Sequence, residues 1–60
     1  MNDRDMWTID AMESQGGGFV HALSILARRA DPKNLQKIKD TWPEYWADYE
    51  ARGRKLETQS

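Results

Sequence analysis

Residues 31–46 read DPKNLQKIKDTWPEYW, and the reading of this stretch decides the fold. Asp31 is a preferred N-cap, and Pro32 suits a first helical turn, where its missing N–H has no bond to lose. A short helix over Pro32–Thr41 follows, with Leu35 and Ile38 one turn apart and pointing inward. Pro43 biases Trp42 away from helical angles and so breaks the chain there. Thr41 and Glu44 have the T-x-x-E spacing of a capping box. That pair opens a further helix from Trp42 to Arg52, with Gly53 as its stop.

Two more helical segments lie toward the N-terminus. Phe19 to Ala30 carries the clearest apolar stripe, since Phe19, Leu23, Leu26 and Ala30 fall within roughly 60° on a helical wheel. Ala22 and Ala27 flank the stripe, His21, Ser24 and Arg28 lie opposite, and Ile25 sits at the edge. Arg28 and Arg29 complement the negative end of that helix dipole. Asp3 to Gln15 forms the other segment, capped by Asn2 or Asp3, with Met6, Ile9 and Met12 on one face and Trp7 and Ala11 widening it. Gly16, Gly17 and Gly18 separate the two segments, and left-handed glycine geometry is the expected way to end the first.

Strand signals are nearly absent, because β-branched residues are sparse and no stretch alternates apolar with polar. The expected class is therefore all-α, a compact bundle of three short helices, or four if the break at Trp42 and Pro43 divides the last. Residues 1–53 would form one domain and residues 54–60 a polar, flexible tail. The expected core is Phe19, Leu23, Leu26, Leu35, Ile38, Trp42 and Trp46, closed by Ile9 and Met6.

The chain has 60 residues, no cysteine, one histidine and a net charge of −1. A domain of this length buries only about 60% of the surface its unfolded chain exposes, which disfavours a deep substrate cavity. Disulfides, thiolate metal sites and cysteine nucleophiles need a residue the chain lacks, and one His cannot build a multi-histidine metal cage. His21 has no serine in a nucleophile elbow to accompany it. The three glycines follow a helix rather than a strand, and no Gly-Lys-Ser/Thr comes after them, so they are not a phosphate loop. Asp3 with Asp5, and Asp48 with Glu50, lack the loop geometry of a cation site. The expectation is a non-enzyme with no cofactor and no metal. No apolar run suits a signal peptide or a membrane span, which points to the cytoplasm.

Two features invite a binding role. Trp42, Tyr45, Trp46 and Tyr49 recur at i, i+3, i+4 and i+7 and share one helix face. Most of that face belongs in the core of so small a domain, while one or two exposed rings would anchor a partner. Charge is also segregated. Residues 1–15 carry −3, residues 16–39 carry +4 and residues 40–51 carry −4, where Asp40, Glu44 and Asp48 form a ridge opposite the aromatics. The favoured site is thus an acidic and aromatic helix with Tyr45, Tyr49, Glu44, Asp48 and Glu50 as partner-binding residues. The alternative uses Arg28, Arg29, Lys33 and Lys37 on a helix pair that suggests a helix-turn-helix and would meet DNA phosphates. A homodimer is a further way to cover an apolar patch on a chain with three tryptophans.

Gly17-Gly18-Phe19-Val20, Ala22-Leu23, Arg29-Ala30-Asp31, Asn34-Leu35 and Trp42-Pro43-Glu44-Tyr45-Trp46 with Tyr49 resemble a group of small helical proteins encoded by phages, prophages and mobile elements. The resemblance spans residues 16–49 and brings no catalytic residues. It implies an accessory protein of a phage or mobile element in the bacterial host cytoplasm, acting on a host or phage protein. Joined to the acidic helix, it implies an inhibitor that occupies the basic groove of a host nucleic-acid-binding defence complex.

Overall fold

The computed structural model describes the backbone of residues 2–59 and the side chains of residues 2–56. Four helices follow one another: α1 (Asp3–Gln15), α2 (Gly18–Arg29), α3 (Pro32–Thr41) and α4 (Pro43–Gln59). No strand occurs among the described residues. Helix α1 is the centre of the packing, lying against α4 along much of its length and against α2 on another side. Helix α3 meets α2 and α4 less extensively.

The local signals that start helices work as their chemistry requires. The Asn2 side chain accepts the N–H of Asp5 at 2.8 Å, and Asp31 accepts the N–H of Asn34 at 2.8 Å. Each bond satisfies one of the orphan donors of a first helical turn. Helix α3 ends at Trp42, whose N–H still reaches the Ile38 carbonyl at 3.0 Å, and Pro43 begins α4. The break therefore separates two helices. Thr41 does not cap α4. It ends α3, and its hydroxyl donates to the Lys37 carbonyl at 2.7 Å, so no capping box with Glu44 forms.

The glycines behave differently from the expectation. No described residue has a positive φ, so the left-handed helix end is not used. Gly16 has φ −79° and ψ 152°, an extended conformation open to any residue. Its requirement is space, because a Cβ there would stand 2.6 Å from Val20 Cγ1. Gly18 is the first residue of α2 and has open space around it. Gly18→Ala is accordingly expected to raise stability by about 0.5 kcal/mol by restricting the unfolded chain. Gly16→Ala is expected to lower it by about 1–2 kcal/mol through overpacking. Urea unfolding followed by tryptophan fluorescence separates the two, and equal effects would show that α1 and α2 do not approach closely at Gly16.

Gly53 does not stop the last helix. Helix α4 continues through it to Gln59, so residues 54–59 are helical where a tail was expected, while Ser60 lies outside the described residues. Gly53 is buried, with its missing side chain filled by the backbone of Trp7 on α1. The glycine is thus an opening that lets two helices cross closely rather than a terminator.

The core consists of Ile9, Ala11 and Met12 from α1, Val20, Leu23 and Ala27 from α2, Leu35 and Ile38 from α3, and Trp46 and Tyr49 from α4. Trp42 and Met6 are half-buried. Phe19 and Leu26, expected inside, are 57% and 53% exposed. Helix α2 is rotated by roughly 80° from the orientation its largest apolar residues suggest. Its buried face is Val20, Leu23, Ser24 and Ala27, mostly small side chains. Small residues allow a close approach to α1, and the flank of α2 then gains polar bonds to the same helix. Arg28 Nη2 lies 2.7 Å from Glu13 Oε2 and 3.0 Å from Asp10 Oδ1, and His21 Nδ1 lies 3.2 Å from the Glu13 carbonyl oxygen. Buried Ser24 and Thr8 donate to backbone carbonyls of their own helices. No described buried side-chain polar atom lacks a partner.

Candidate functional site

The acidic and aromatic residues of α4 do not assemble into one surface. Trp46 and Tyr49 turn into the core, and Tyr49 is only 8% exposed, so it cannot serve as a surface anchor. Its ring instead carries Arg52, whose guanidinium carbon stands 4.8 Å from the ring centroid. Asp48 accepts a hydrogen bond from Arg52 Nε at 3.2 Å, and half-buried Glu50 lies 3.9 Å from Arg4 Nε. Glu44 is exposed and makes no ion pair among the described residues. Asp40 belongs to α3 and accepts from Gln36 at 3.0 Å, so the ridge with Glu44 and Asp48 is interrupted by the break at Trp42. Tyr45 alone of the proposed anchors is an exposed ring.

The four basic residues likewise do not act as one set. Arg28 is committed to Asp10 and Glu13 on α1. The hydrogen bond that its guanidinium donates to Asp10 is the leading cause that holds it above the ordinary pKa, and Glu13 adds to it. Arg29, Lys33 and Lys37 are exposed and make no ion pair among the described residues. Arg29 and Lys37 line one hollow with Asn34, whereas Lys33 lies outside it. The remaining cation of this region, Lys39, is held inside the fold. Its Nζ lies 3.0 Å from Asp5 Oδ1 and 5.3 Å from the centre of the Trp46 ring. Asp5 is buried, and the pair ties α1 to α3 beneath the aromatic face of α4. A helix-turn-helix reading needs an exposed recognition face on α3, but the two amide side chains of that helix, which could read base edges, do not share a free surface. Asn34 lines the hollow against α2, while Gln36 is bonded to Asp40.

What the structure does bring together is an apolar strip, of which Phe19 and Leu26 are expected in the core from the helical wheel. Phe19, Ala22, Ile25 and Leu26 of α2 are all exposed, and Tyr45 of α4 joins them. Phe19 packs edge-on against Trp42, with ring centroids 5.9 Å apart, and tilts over Tyr45 at 5.8 Å. The rings therefore hold one another in place while leaving Phe19 open to solvent. No family model, curated protein or solved structure matches the chain. Among the described residues no three His, Cys, Asp or Glu side chains are grouped to hold a metal, and no helix is long and apolar enough to cross a membrane.

A signal for the strip was present in the sequence. From Phe19 to Ala27 the apolar residues of α2 cover about 220° of the helical circumference. Such a helix must be covered on two sides or leave one apolar side exposed. With α1 against one side and only short α3 nearby, this chain has too few elements to cover both.

Proposed function

We propose that the chain is a non-catalytic protein-binding module that docks through the exposed strip of α2, with Phe19, Ile25 and Leu26 as anchors and Tyr45 at its edge. The observation that supports this reading is the exposure of three large apolar side chains along one short helix. Single exposed apolar residues are ordinary, but a contiguous set on a small domain marks an interaction surface. The resemblance over residues 16–49 supplies the setting: an accessory protein of a phage or mobile element, in the bacterial cytoplasm, with a host or phage protein as partner. A module of this kind acts by covering part of its partner and thereby inhibiting it, and it needs no chemistry of its own.

Leu26 gives the cleanest test, because it makes no polar bond and is already half in solvent. Its burial at an interface is worth about 1–2 kcal/mol. Leu26→Ser is expected to weaken partner capture from nuclease-treated bacterial lysate about tenfold, with thermal unfolding of the free protein nearly unchanged. Capture that survives Leu26→Ser but is lost with Glu44→Lys and Asp48→Lys would overturn the apolar strip in favour of the acidic face. Capture that disappears with nuclease treatment would transfer the function to nucleic acid.

A further inference from the structure

Leu26 stands between two hollows on the groove that α2 forms with α3 and the start of α4. One, of about 290 Å³, is lined by Leu26, Arg29, Ala30, Asn34, Lys37 and Ile38. The other, of about 150 Å³, is lined by Phe19, Ala22, Leu23, Leu26 and Trp42. We infer that this groove receives an amphipathic helix of the partner protein, one that carries a carboxylate beside its apolar stripe. The inference rests on the protein-binding reading above and names the chemistry of the occupant.

Charge complementarity selects that occupant. No acidic residue lines either hollow. Arg28, Lys39 and Arg52 are each engaged with a carboxylate of this chain, whereas Arg29 and Lys37 make no such pair among the described residues. The two free cations border a wall made of Leu26, Ala30 and Ile38. A carboxylate seated there meets two positive charges next to apolar surface, where water screens less than in bulk. Its hydrogen bonds would also be charge-assisted at both ends.

Shape selects a helix. From Ala22 in one hollow to Ala30 in the other, α2 advances by about 12 Å at 1.5 Å per residue. That is the distance between side chains about two turns apart on a docking helix, the usual i and i+7 anchors of a helix-in-groove contact. A nucleic acid would find phosphate contacts at Arg29 and Lys37, but the walls beside those cations are the aliphatic Leu26, Ala30 and Ile38, and the nearest rings, Phe19 and Trp42, lie in the other hollow packed against each other. A second copy of this chain is poorly matched as well. Asp10, Glu13 and Asp48 are already paired with Arg28 and Arg52. Glu44, unpaired among the described residues, lies on α4, whose Trp46 and Tyr49 are turned into the core and cannot supply a docking stripe beside it.

The experiment is a selection of displayed 16-residue helical peptides on the intact protein, followed by titration of the best synthetic peptide into isotope-labelled protein. The expected winners carry two large apolar side chains seven residues apart and an Asp or Glu one turn beyond. They should shift the amides of Leu26, Ala30, Asn34 and Ile38. Arg29→Glu with Lys37→Glu, both exposed positions, should weaken such a peptide at least tenfold, and replacing its carboxylate by Lys should restore binding to that variant. Winners that use the groove without acidic bias would overturn the charged occupant and leave the protein-binding reading standing. Winners that map elsewhere, or no winners, would overturn the groove. Duplex DNA that displaces the peptide, or a wild-type dimer by sedimentation that Leu26→Glu dissociates, would replace the occupant by nucleic acid or by a second copy. The apolar-strip reading falls on the separate result that Leu26→Ser leaves lysate capture intact, and protein binding as such falls on capture that vanishes with nuclease treatment.

Discussion

Gly53→Ala is expected to destabilise the protein by about 2 kcal/mol, against the direction that helix propensity sets. In an exposed helix interior the same change would stabilise by about 1 kcal/mol, because glycine loses more backbone freedom than alanine. Here a Cβ would stand 2.7 Å from the Trp7 carbonyl carbon, nearer still to its oxygen, and 3.1 Å from Trp7 Cβ. The obstacle is main chain, so no rotamer change relieves it, and α1 and α4 must move apart along the most extensive contact in the fold. Overpacking of this kind costs about 1–3 kcal/mol, and a rigid neighbour places it at the upper end of that range. For a domain of this size the net loss lowers Tm by about 10 °C. Thermal unfolding by circular dichroism reads it directly, and a raised Tm would mean that the two helices do not cross at Gly53.

Ile9→Ala should cost more, about 3 kcal/mol. Ile9 is fully buried at the centre of α1, so its truncation loses transfer free energy and leaves a cavity between helices that cannot both collapse into it. Leu26→Ala is the matching control, expected to cost under about 1 kcal/mol because half of that side chain is already in water. The pair tests the rotation of α2, which the binding proposal requires. Equal losses in urea titrations would return Leu26 to the core and remove the strip from the surface. A loss at Ile9 alone would fix Val20, Leu23, Ser24 and Ala27 as the packed face.

Interactions at the surface are expected to matter much less. Arg28 reaches two carboxylates, yet all three groups are solvent-exposed, and exposed pairs contribute about 0–1 kcal/mol. Their effect is on orientation: the pairs hold the polar flank of α2 against α1, and they keep Phe19 and Leu26 turned away from it. Asp5 and Lys39 differ because the carboxylate is buried and hydrogen-bonded, which makes their registry of α1 on α3 part of the packing.

The legible part of this protein was the part governed by near neighbours in the chain. Asn2 and Asp31 cap helices because a short acceptor side chain reaches an N–H three residues on, and Pro43 ends α3 because its ring restricts Trp42. Leu35 and Ile38 point inward because α3 has a single apolar face to bury. The candidate site was less legible. The pattern puts Tyr45 at the surface, but it draws Tyr49 out with it although that ring faces the core, and it puts Phe19 and Leu26 inside although both are exposed.

Sequence alone determined the all-α class, the breaks at the glycines and at Trp42–Pro43, and the caps of α1 and α3, since each depends on contacts within a turn or two; it left three helices or four open. Tertiary structure decided the two matters on which function turns. Helix α2 has apolar residues around more than half its girth, so its own sequence allows several orientations, and only the small face of Val20, Ser24 and Ala27 against α1 chooses among them. Gly53 is ambiguous in the same way, reading as a stop by propensity and serving as a crossing point because Trp7, far away in the chain, occupies the space. Both choices are made by the close packing of distant segments, and the exposed strip is the surface left over when that packing is complete.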